Sequence, residues 1–173
     1  MISLPAGLEF VVDVSVMCDA GQSESDRQKA CREVLGAIRR GHRIAWSDQL
    51  EDEWRRQRVQ PQFARQWLVE MERRQRVRRV GQVEPAAASA AVGTLADGHE
   101  RKGPMAKDLH LVEAALMADR VVISNDNRAR GHFRWLLAQV QGAWGVAWAN
   151  PTEPADACLS CLNSGAFSKT NFR

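Results

Sequence analysis

The sequence lacks a long hydrophobic run and any marker of export. No apolar stretch in its 173 residues approaches the ~20 residues that a membrane helix needs. The first residues, MISLPAGLEFVVDVSV, have neither a positively charged start nor a long apolar core, which argues against a secretory signal. There are only four cysteines. Without an export signal we expect them to be reduced thiols in a cytoplasm, and we expect no membrane partner.

Motifs of several well-known enzyme classes are also missing. There is no GxGxxG or GxxxxGK, which disfavours Rossmann and P-loop nucleotide-binding proteins. The four histidines form neither a triad nor an HExxH pattern. The one CxxC, Cys158-x-x-Cys161, has no second pair to complete a four-ligand zinc site, and we interpret it as part of a half-buried helix. A haloacid-type phosphatase would need an acid at position 15, where Ser15 stands.

The composition and the hydrophobic pattern indicate one α/β domain. Hydrophobic residues make up 45% and charged residues 26%, which is ordinary globular usage. Apolar runs alternate with helical patterns, which predicts a three-layer α/β/α fold with a mainly parallel sheet. We expect the domain at 1–150, with a mobile loop at about 81–104, and a C-terminal helix and tail at 151–173. The predicted strands are 8–16, 42–46, 121–123 and 145–149, and the predicted helices are 23–40, 47–59, one from Pro61, 105–118, 127–141 and 153–162.

Two aspartates follow predicted strands. Asp13 interrupts the first strand near its C-terminal end, where a carboxylate is costly unless a cation or hydrogen-bond donors compensate it. Asp126 directly follows a later strand, where its plainer role is to cap the next helix. Because sites form at the carboxyl ends of parallel strands, the two carboxylates converge if the strands are neighbours. The residues expected to support them are Ser15, Ser124 and Asn125.

The third candidate carboxylate is Asp108, one turn into the predicted helix 105–118. An acid in a first turn often does no more than compensate the helix dipole. Asp108, however, lies on the inward face, one turn before Val112, whereas a purely electrostatic acid could lie on the wet face. We therefore expect Asp108 to join the two aspartates at the strand ends.

The fourth candidate is chosen from three successive acids. The first two each have an arginine four residues later, in the acid-first order that stabilises a surface helix pair. The third, Glu53, has no cation at that spacing and leans toward the apolar face. We expect Glu53 to point inward, and we expect the other two to form the surface pairs Glu51–Arg55 and Asp52–Arg56.

These four acids together predict a metal site. An acidic pocket of this kind would not stay ionised without cations, and Mg²⁺ or Mn²⁺ prefers a few carboxylates plus waters. Such an ion activates a water and stabilises the charge on a phosphoryl group during hydrolysis. The sequence therefore predicts Mg²⁺ or Mn²⁺ bound by Asp13, Asp108 and Asp126, with Glu53 as a further catalytic carboxylate.

Positive charge is concentrated in one segment. Of 24 basic residues 20 are arginine, and nine of these lie between positions 55 and 79. A solvated helical face is the plainer interpretation, but a basic cluster beside a phosphate-cleaving site would hold a nucleic-acid backbone. Because the cluster follows Glu53 directly, we expect it to line the metal pocket. The candidate RNA-binding residues are Arg55, Arg56, Arg73, Arg74, Arg76 and Lys107.

The ordered set of acids resembles the PIN-domain ribonucleases, many of which are the toxins of toxin–antitoxin modules. The matching pieces are VVDVSV, SDQLEDEW, KDLHLVEAAL and VISND, and the resemblance covers about residues 8 to 150. It implies a metal-dependent endoribonuclease on a PIN-like fold, with RNA as substrate and with a cognate antitoxin and a homodimer as the partners that the family suggests. It maps the family's four acids onto Asp13, Glu53, Asp108 and Asp126, and a frequent hydroxyl position onto Ser124.

Two hypotheses of different classes stay open. The first is the metal-dependent ribonuclease. The second is a catalytically silent PIN-like module that binds RNA or a protein through its arginine-rich face. The presence of all four acids favours the first hypothesis.

Overall fold

The computed structural model describes residues 7–81, 87–139 and 145–164, and within them five strands form one fully parallel sheet. The strands are β1 (Glu9–Val12), β2 (Arg43–Ser47), β3 (Val77–Val80), β4 (Val121–Ile123) and β5 (Ala147–Ala149). Their order across the sheet is β3-β2-β1-β4-β5, and every neighbouring pair is parallel. This arrangement confirms the predicted parallel α/β architecture.

Helices cover both faces of the sheet and complete the three layers. The helices are α1 (Val14–Cys18), α2 (Asp26–Gly41), α3 (Asp48–Arg56), α4 (Gln62–Arg73), α5 (Ala87–Gly93), α6 (Lys102–Leu116), α7 (Asn127–Gln139) and α8 (Cys158–Ser164). On one face α2 packs against α4 and α8, and on the other α6 packs against α5 and α7. Among the described residues, none of these helices has the length and apolar character needed to cross a membrane.

The first apolar run, 8–16, divides into a strand and a short helix rather than one long strand. Phe10, Val11 and Val12 are fully buried in β1, as expected for a central parallel strand covered on both faces. Asp13 then ends the strand and caps α1. The predicted strand is therefore wrong beyond Val12, because a capping aspartate lets the following apolar residues turn into a helix.

Capping bonds define two helix starts: Ser47 is the predicted cap of α3, and at α2 the structure selects Ser25 from the two possible caps, Ser23 and Ser25. The hydroxyl of Ser25 accepts the backbone N–H of Gln28 at the start of α2, at 3.4 Å. The hydroxyl of Ser47 accepts the backbone N–H of Leu50 at the start of α3, at 3.3 Å. Each cap satisfies one of the backbone donors that a helix start leaves without an intrahelical partner.

The segment predicted as a mobile loop, 81–104, includes α5 and the first residues of α6. α5 buries Ala88, Ala91 and Val92 and packs against α6, which itself begins three residues earlier than expected. Residues 82–86 lie outside the described part of the chain. The small side chains of α5 allow the two helices to pack closely, and this is why an alanine-rich segment with little visible periodicity is buried here.

The C-terminal helix packs on the same domain. α8 contacts α2, and a ring nitrogen of His42 lies 2.9 Å from the carbonyl oxygen of Leu162. Cys158 is buried and Cys161 half-buried, both as unpaired thiols, and burial raises the pKa of Cys158 to about 12. The interpretation of the CxxC as part of a half-buried helix is thus confirmed, whereas the predicted tail beyond Ser164 lies outside the described residues.

The strand order defines where a site is expected. After β1 the chain builds the sheet outward through β2 and β3, and then returns to add β4 on the opposite side of β1. In open parallel sheets a ligand crevice forms where the order reverses, beyond the carboxyl ends of the two strands. Here that position lies between the end of β1 and the end of β4, which are paired through Val12 and Ile123.

Candidate acidic site at the carboxyl edge of the sheet

Asp13 lies at the end of β1, and only 8% of its surface is exposed. Its backbone is extended, as in most helix caps, and its Oδ1 accepts the backbone N–H of Ser15 at 3.1 Å. The backbone N–H of Asp13 donates to the carbonyl of Ile123 at 2.9 Å, which continues the pairing of β1 with β4. The sequence thus brings a buried carboxylate directly to the point where the strand order reverses.

Two serine hydroxyls hold the second oxygen of this carboxylate. Ser15 Oγ donates to Asp13 Oδ2 at 2.7 Å, and Ser124 Oγ donates to the same oxygen at 2.6 Å. Each hydroxyl in turn accepts a backbone N–H from the loop after β4, Ser15 from Asn125 at 3.3 Å and Ser124 from Asp126 at 3.0 Å. These bonds tie residues 13–15 to residues 124–126 and fix the orientation of the Asp13 carboxylate.

Asp126 caps α7, as the plainer interpretation of its sequence position predicts. Its Oδ1 accepts the backbone N–H groups of Arg128 and Ala129, both at 2.8 Å. Because Oδ1 receives both capping bonds, the carboxylate is fixed at the helix start, two residues after Ser124. The cap and the position beside Asp13 are therefore compatible roles of one side chain.

Asp108 is half-buried on α6 and carries the clearest electrostatic sign of a shared acidic site. Burial raises its pKa from 3.8 to about 6, and the charges of Asp126 and Asp13 add to the rise, while Lys107 opposes it. Like charges raise a carboxyl pKa only when they are near. Asp108 therefore shares one local field with Asp13 and Asp126, although the three come from distant parts of the chain.

Glu53 points inward from α3, as predicted, with 9% of its surface exposed. The expectation that it lacks a cationic partner is wrong. Its Oε2 lies 3.5 Å from Nε2 of His110, and its Oε1 lies 4.0 Å from Nη2 of Arg56. Burial opposes its ionisation, but His110 and Arg56 outweigh burial and lower the pKa of Glu53. The helical spacing considered in the sequence could not show a partner that comes from another helix.

His110 is the site residue that the sequence analysis missed. It is buried on α6, two residues after Asp108, and its Nδ1 lies 3.0 Å from the carbonyl oxygen of Lys107. A carbonyl only accepts, so this ring nitrogen carries a proton and Nε2 faces Glu53. Burial disfavours a charged imidazole, but Glu53 outweighs it and raises the pKa of His110. The sequence feature that could have identified His110 is its position on the same helix as the candidate metal ligand Asp108.

Glu51 is more deeply engaged than a surface pair. It binds Arg55 at 2.9 Å, as predicted, but it also accepts the indole N–H of Trp46 at 2.8 Å and a bond from Arg79 of β3. The Arg79 bond is the largest cause of its lowered pKa. The predicted Asp52–Arg56 pair is replaced, because Arg56 turns toward Glu53 instead.

A second polar network adjoins the serines. Asn125 Nδ2 donates to Asp19 Oδ2 at 2.8 Å, and Arg27 donates to the same oxygen through two nitrogens at 2.6 and 2.8 Å. Asn125 also contacts the thiol of Cys31 at 3.4 Å. The expected supporting role of Asn125 is thus directed toward α1 and α2, and Asp19 was not identified from the sequence.

The candidate RNA-binding arginines divide between the two ends of the sheet. Arg55 and Arg56 lie on α3, which begins at the carboxyl end of β2, and Lys107 contributes to the field at Asp108. The expectation that the whole cluster lines one pocket is wrong, because the turn after α4 leads into the amino end of β3. The arginines at that opposite end of the sheet are Arg73, Arg74 and Arg76.

The donor set at the carboxyl edge was compared with what a metal ion requires. Within the described residues, no three His, Cys, Asp or Glu side chains already form a group that could hold a metal ion. The donors that converge are carboxylate and hydroxyl oxygens, which suit a hard divalent cation rather than zinc. Burial is the largest cause of the raised pKa of Asp108, and the charges of Asp126 and Asp13 add to it. This chemistry fits Mg²⁺ or Mn²⁺.

Comparisons with known proteins supply no family for this chain. A scan against protein-family models finds no match, and a search of curated proteins also finds none.

Proposed function

We propose that this protein is a divalent-metal-dependent endoribonuclease of the PIN type that hydrolyses RNA phosphodiester bonds. The observation that carries the proposal is the carboxylate of Asp13, held by two serines where the strand order reverses, in the same field as Asp108 and Asp126. Strand-end carboxylates that share a field are suited to a cation that binds phosphate. The resemblance in the order of the acids supports the same class.

In this proposal Asp13, Asp108 and Asp126 hold Mg²⁺ or Mn²⁺. When bound, the ion would activate a water molecule and neutralise charge on the phosphoryl group. The protein's own residues prepare this site. Ser15 and Ser124 orient the Asp13 carboxylate, and Asp126 is fixed by its cap on α7. These contacts fix two of the three carboxylates, Asp13 and Asp126, before an ion binds.

Glu53 and the nearby cations have separate roles. His110 and Arg56 keep Glu53 ionised in a buried position, so this carboxylate is able to accept a proton from a water or to orient it. Lys107, adjacent to Asp108, and Arg56 supply positive charge for an RNA backbone on the same side of the sheet. The acidic side chains would thus bind the ion, and the basic side chains at this edge would attract the RNA substrate.

We extend the proposal to a toxin of a toxin–antitoxin module, with a cognate antitoxin and a homodimer as partners. This extension rests on the resemblance of the four sequence pieces alone. We also propose a cytoplasmic location, because all four cysteines are unpaired thiols.

A catalytically silent PIN-like module that binds RNA or a protein is the second candidate. The observation that favours it is that two of the four acids already have protein partners, Glu53 in His110 and Asp126 in the α7 amides. In a silent module, Glu53 and Asp126 would serve only to make these contacts. The nuclease is preferred because no such purpose accounts for the charge at Asp108.

The deciding experiment is cleavage of a mixed RNA pool by the purified protein. We expect cleavage with Mn²⁺ or Mg²⁺, none with EDTA, and none by Asp13→Asn with either ion. Asp52→Asn is the matched control, since Asp52 is an exposed acid of α3, and it should cleave like the wild type. RNA binding without cleavage under every metal condition would favour the silent module.

A further inference from the structure

A patch of basic and aromatic side chains extends from the acidic site along α7. Arg128, His132 and Trp135 are spaced at i, i+4 and i+7, so they share one face of this helix. His99 and Arg101, in the turns before α6, contact that face. We call these five residues the basic–aromatic patch. None of them has a role in the metal site described above.

The geometry of the patch centres on Arg101 and Trp135. The Cζ atom of Arg101 lies 4.8 Å from the centroid of the Trp135 ring, which is the arrangement of a cation–π contact. The His99 ring lies 5.2 Å from the same ring at 36°, and its Nδ1 accepts the backbone N–H of Arg101 at 3.2 Å. The Arg101 side chain keeps 32% of its surface exposed. Its Nε lies 3.7 Å from Oε1 of the exposed Glu100. The guanidinium is therefore backed by an indole and partly exposed to solvent.

The patch adjoins the acidic site through α7. Asp126 caps this helix, and Arg128 is one of the residues whose amide it binds. Burial lowers the pKa of His132, as do the charges of Arg101 and Arg128, while Asp126 opposes them. The 2.8 Å bond from the Arg128 amide to Asp126 Oδ1 places the start of the patch at the acidic site. From Arg128 to Trp135 the patch covers eight residues, roughly 10 Å of helix.

We propose that the basic–aromatic patch binds an unpaired base and an adjoining phosphate of a single-stranded RNA that runs from the acidic site along α7. This inference rests on the proposed function and adds where the strand lies and which form of RNA is bound. Unpaired bases stack on aromatic rings and on arginine planes. The Trp135 ring holds Arg101, so the base stacks on the exposed side of the guanidinium while Arg128 binds the phosphate.

Two other roles for the patch are less well supported. The Arg101–Trp135 contact also closes the turns before α6 onto α7, but this purpose would not require cations at both Arg101 and Arg128. An acidic protein partner would need the charge alone. The combination of a planar cation, aromatic rings and a neighbouring site for phosphate chemistry favours RNA.

The test compares Arg101→Ala, Arg101→Lys and Arg134→Ala with the wild type. Arg134 is an exposed arginine of α7 that faces away from the patch, toward Asn127 and Gly131, so it controls for charge on the same helix. Binding of a fluorescent single-stranded RNA is measured by anisotropy in EDTA, which prevents hydrolysis, together with binding of the same sequence as a duplex. Melting temperatures verify that each variant is folded.

We expect Arg101→Ala to weaken single-strand binding about ten-fold or more, as the loss of one stacking contact does. Arg101→Lys keeps the positive charge but lacks the planar guanidinium on which a base stacks. It should therefore recover only part of the lost affinity. Duplex binding should change much less, because paired bases do not stack on the protein. Arg134→Ala should bind as the wild type does.

Each remaining outcome has a defined meaning. Equal single-strand affinity for wild type and Arg101→Ala, or full recovery by Arg101→Lys, overturns base stacking at the patch. Failure of the wild type to bind single-stranded RNA overturns the patch as a whole. Because binding is measured without metal, an absence of cleavage together with the expected binding losses would reject the nuclease and leave the patch standing.

Discussion

Charged side chains are compensated differently at the two ends of the sheet. At the amino end arginines meet acids or carbonyls: Glu70 pairs with both Arg39 and Arg74, and Arg76 donates to the carbonyl of Arg39 at 2.6 Å. At the carboxyl end Glu53 has His110 and Arg56 as cationic partners, but burial, together with the charges of Asp126 and Asp13, raises the pKa of Asp108 to about 6.

Under the proposed function, this contrast separates charges that stabilise the fold from charges that would bind a ligand. Exposed ion pairs contribute little each, but they leave nothing uncompensated. A group of partly buried carboxylates costs stability, and proteins keep such costs at sites where a cation compensates them. Substitutions at the two ends should therefore have different consequences.

Asp13→Asn should reduce Mn²⁺-dependent RNA cleavage to background. The amide keeps an oxygen for the serine hydroxyls but loses the charge that holds the ion. Thermal melting should show a folded protein, within about 1 kcal/mol of the wild type. Asp13→Ala should be less stable than Asp13→Asn, because the buried hydroxyl of Ser124 then lacks its acceptor. Cleavage at the wild-type rate by Asp13→Asn would falsify the site.

Glu53→Gln and Glu51→Gln should differ in their effect on cleavage. Glu53→Gln should reduce the cleavage rate by about two orders of magnitude, as the loss of a general base does, and it should also lower stability because His110 and Arg56 lose their charged partner. Glu51→Gln should leave the rate near that of the wild type but cost about 1 kcal/mol of stability, because Glu51 binds Trp46, Arg55 and Arg79. Rates and urea midpoints measured on both variants check this, and a reversal of the two effects on the rate would contradict the assignment.

Asp108→Asn should stabilise the metal-free protein at pH 7 and not at pH 4. The pKa of Asp108 is raised in the folded state from 3.8 to about 6, so its contribution is fully favourable below pH 4 and is lost as the pH rises to about 6. The gain at pH 7 should be at most about 3 kcal/mol, and less where water reaches the carboxyl.

Urea unfolding in EDTA at the two pH values measures the effect of Asp108→Asn. The control is Asp52→Asn, an exposed acid for which we expect the same small change at both. An equal effect of Asp108→Asn at pH 4 and pH 7 would mean that Asp108 is not part of a shared acidic field.

The arginines at the two ends should differ in their effect on RNA binding. Replacing Arg73, Arg74 and Arg76 together by alanine should leave the salt dependence of RNA affinity nearly unchanged, since these residues lie at the amino end. Replacing Arg56 and Lys107 should reduce the log–log slope by about 0.7 per lost phosphate contact. Filter binding at several salt concentrations measures both slopes, and a larger change in the triple variant would restore the amino end as the RNA surface.

Much of the fold and the identity of the acids could be predicted because they depend on local pattern. The buried strand Val121–Ile123 matches its prediction, and the caps at Ser25 and Ser47 follow from side chains that bond to backbone two or three residues away. The inward direction of Glu53 followed from helical spacing. These features need no knowledge of which elements become neighbours.

The features that the sequence did not predict depend on distant partners. β3 has the sequence Val-Arg-Arg-Val, which is too polar to be identified as a strand from its pattern. Its two arginines pair with Glu9 and Glu51 from other elements. His110 met Glu53 only through the contact of α3 with α6. Likewise the arginines after α4 follow Glu53 in sequence, yet a parallel sheet carries them to its opposite end.

The separation of Asp13 and Ser124 along the chain has a consequence for the order of events during synthesis. The two residues are 111 positions apart, whereas β1, β2 and β3 are consecutive both in the chain and in the sheet. At about 5–20 residues per second, this half of the sheet leaves the ribosome several seconds before β4 arrives at the other side of β1. The nascent protein therefore has a partial fold well before it has an acidic site, and whatever the site does begins only when the last third of the chain has emerged.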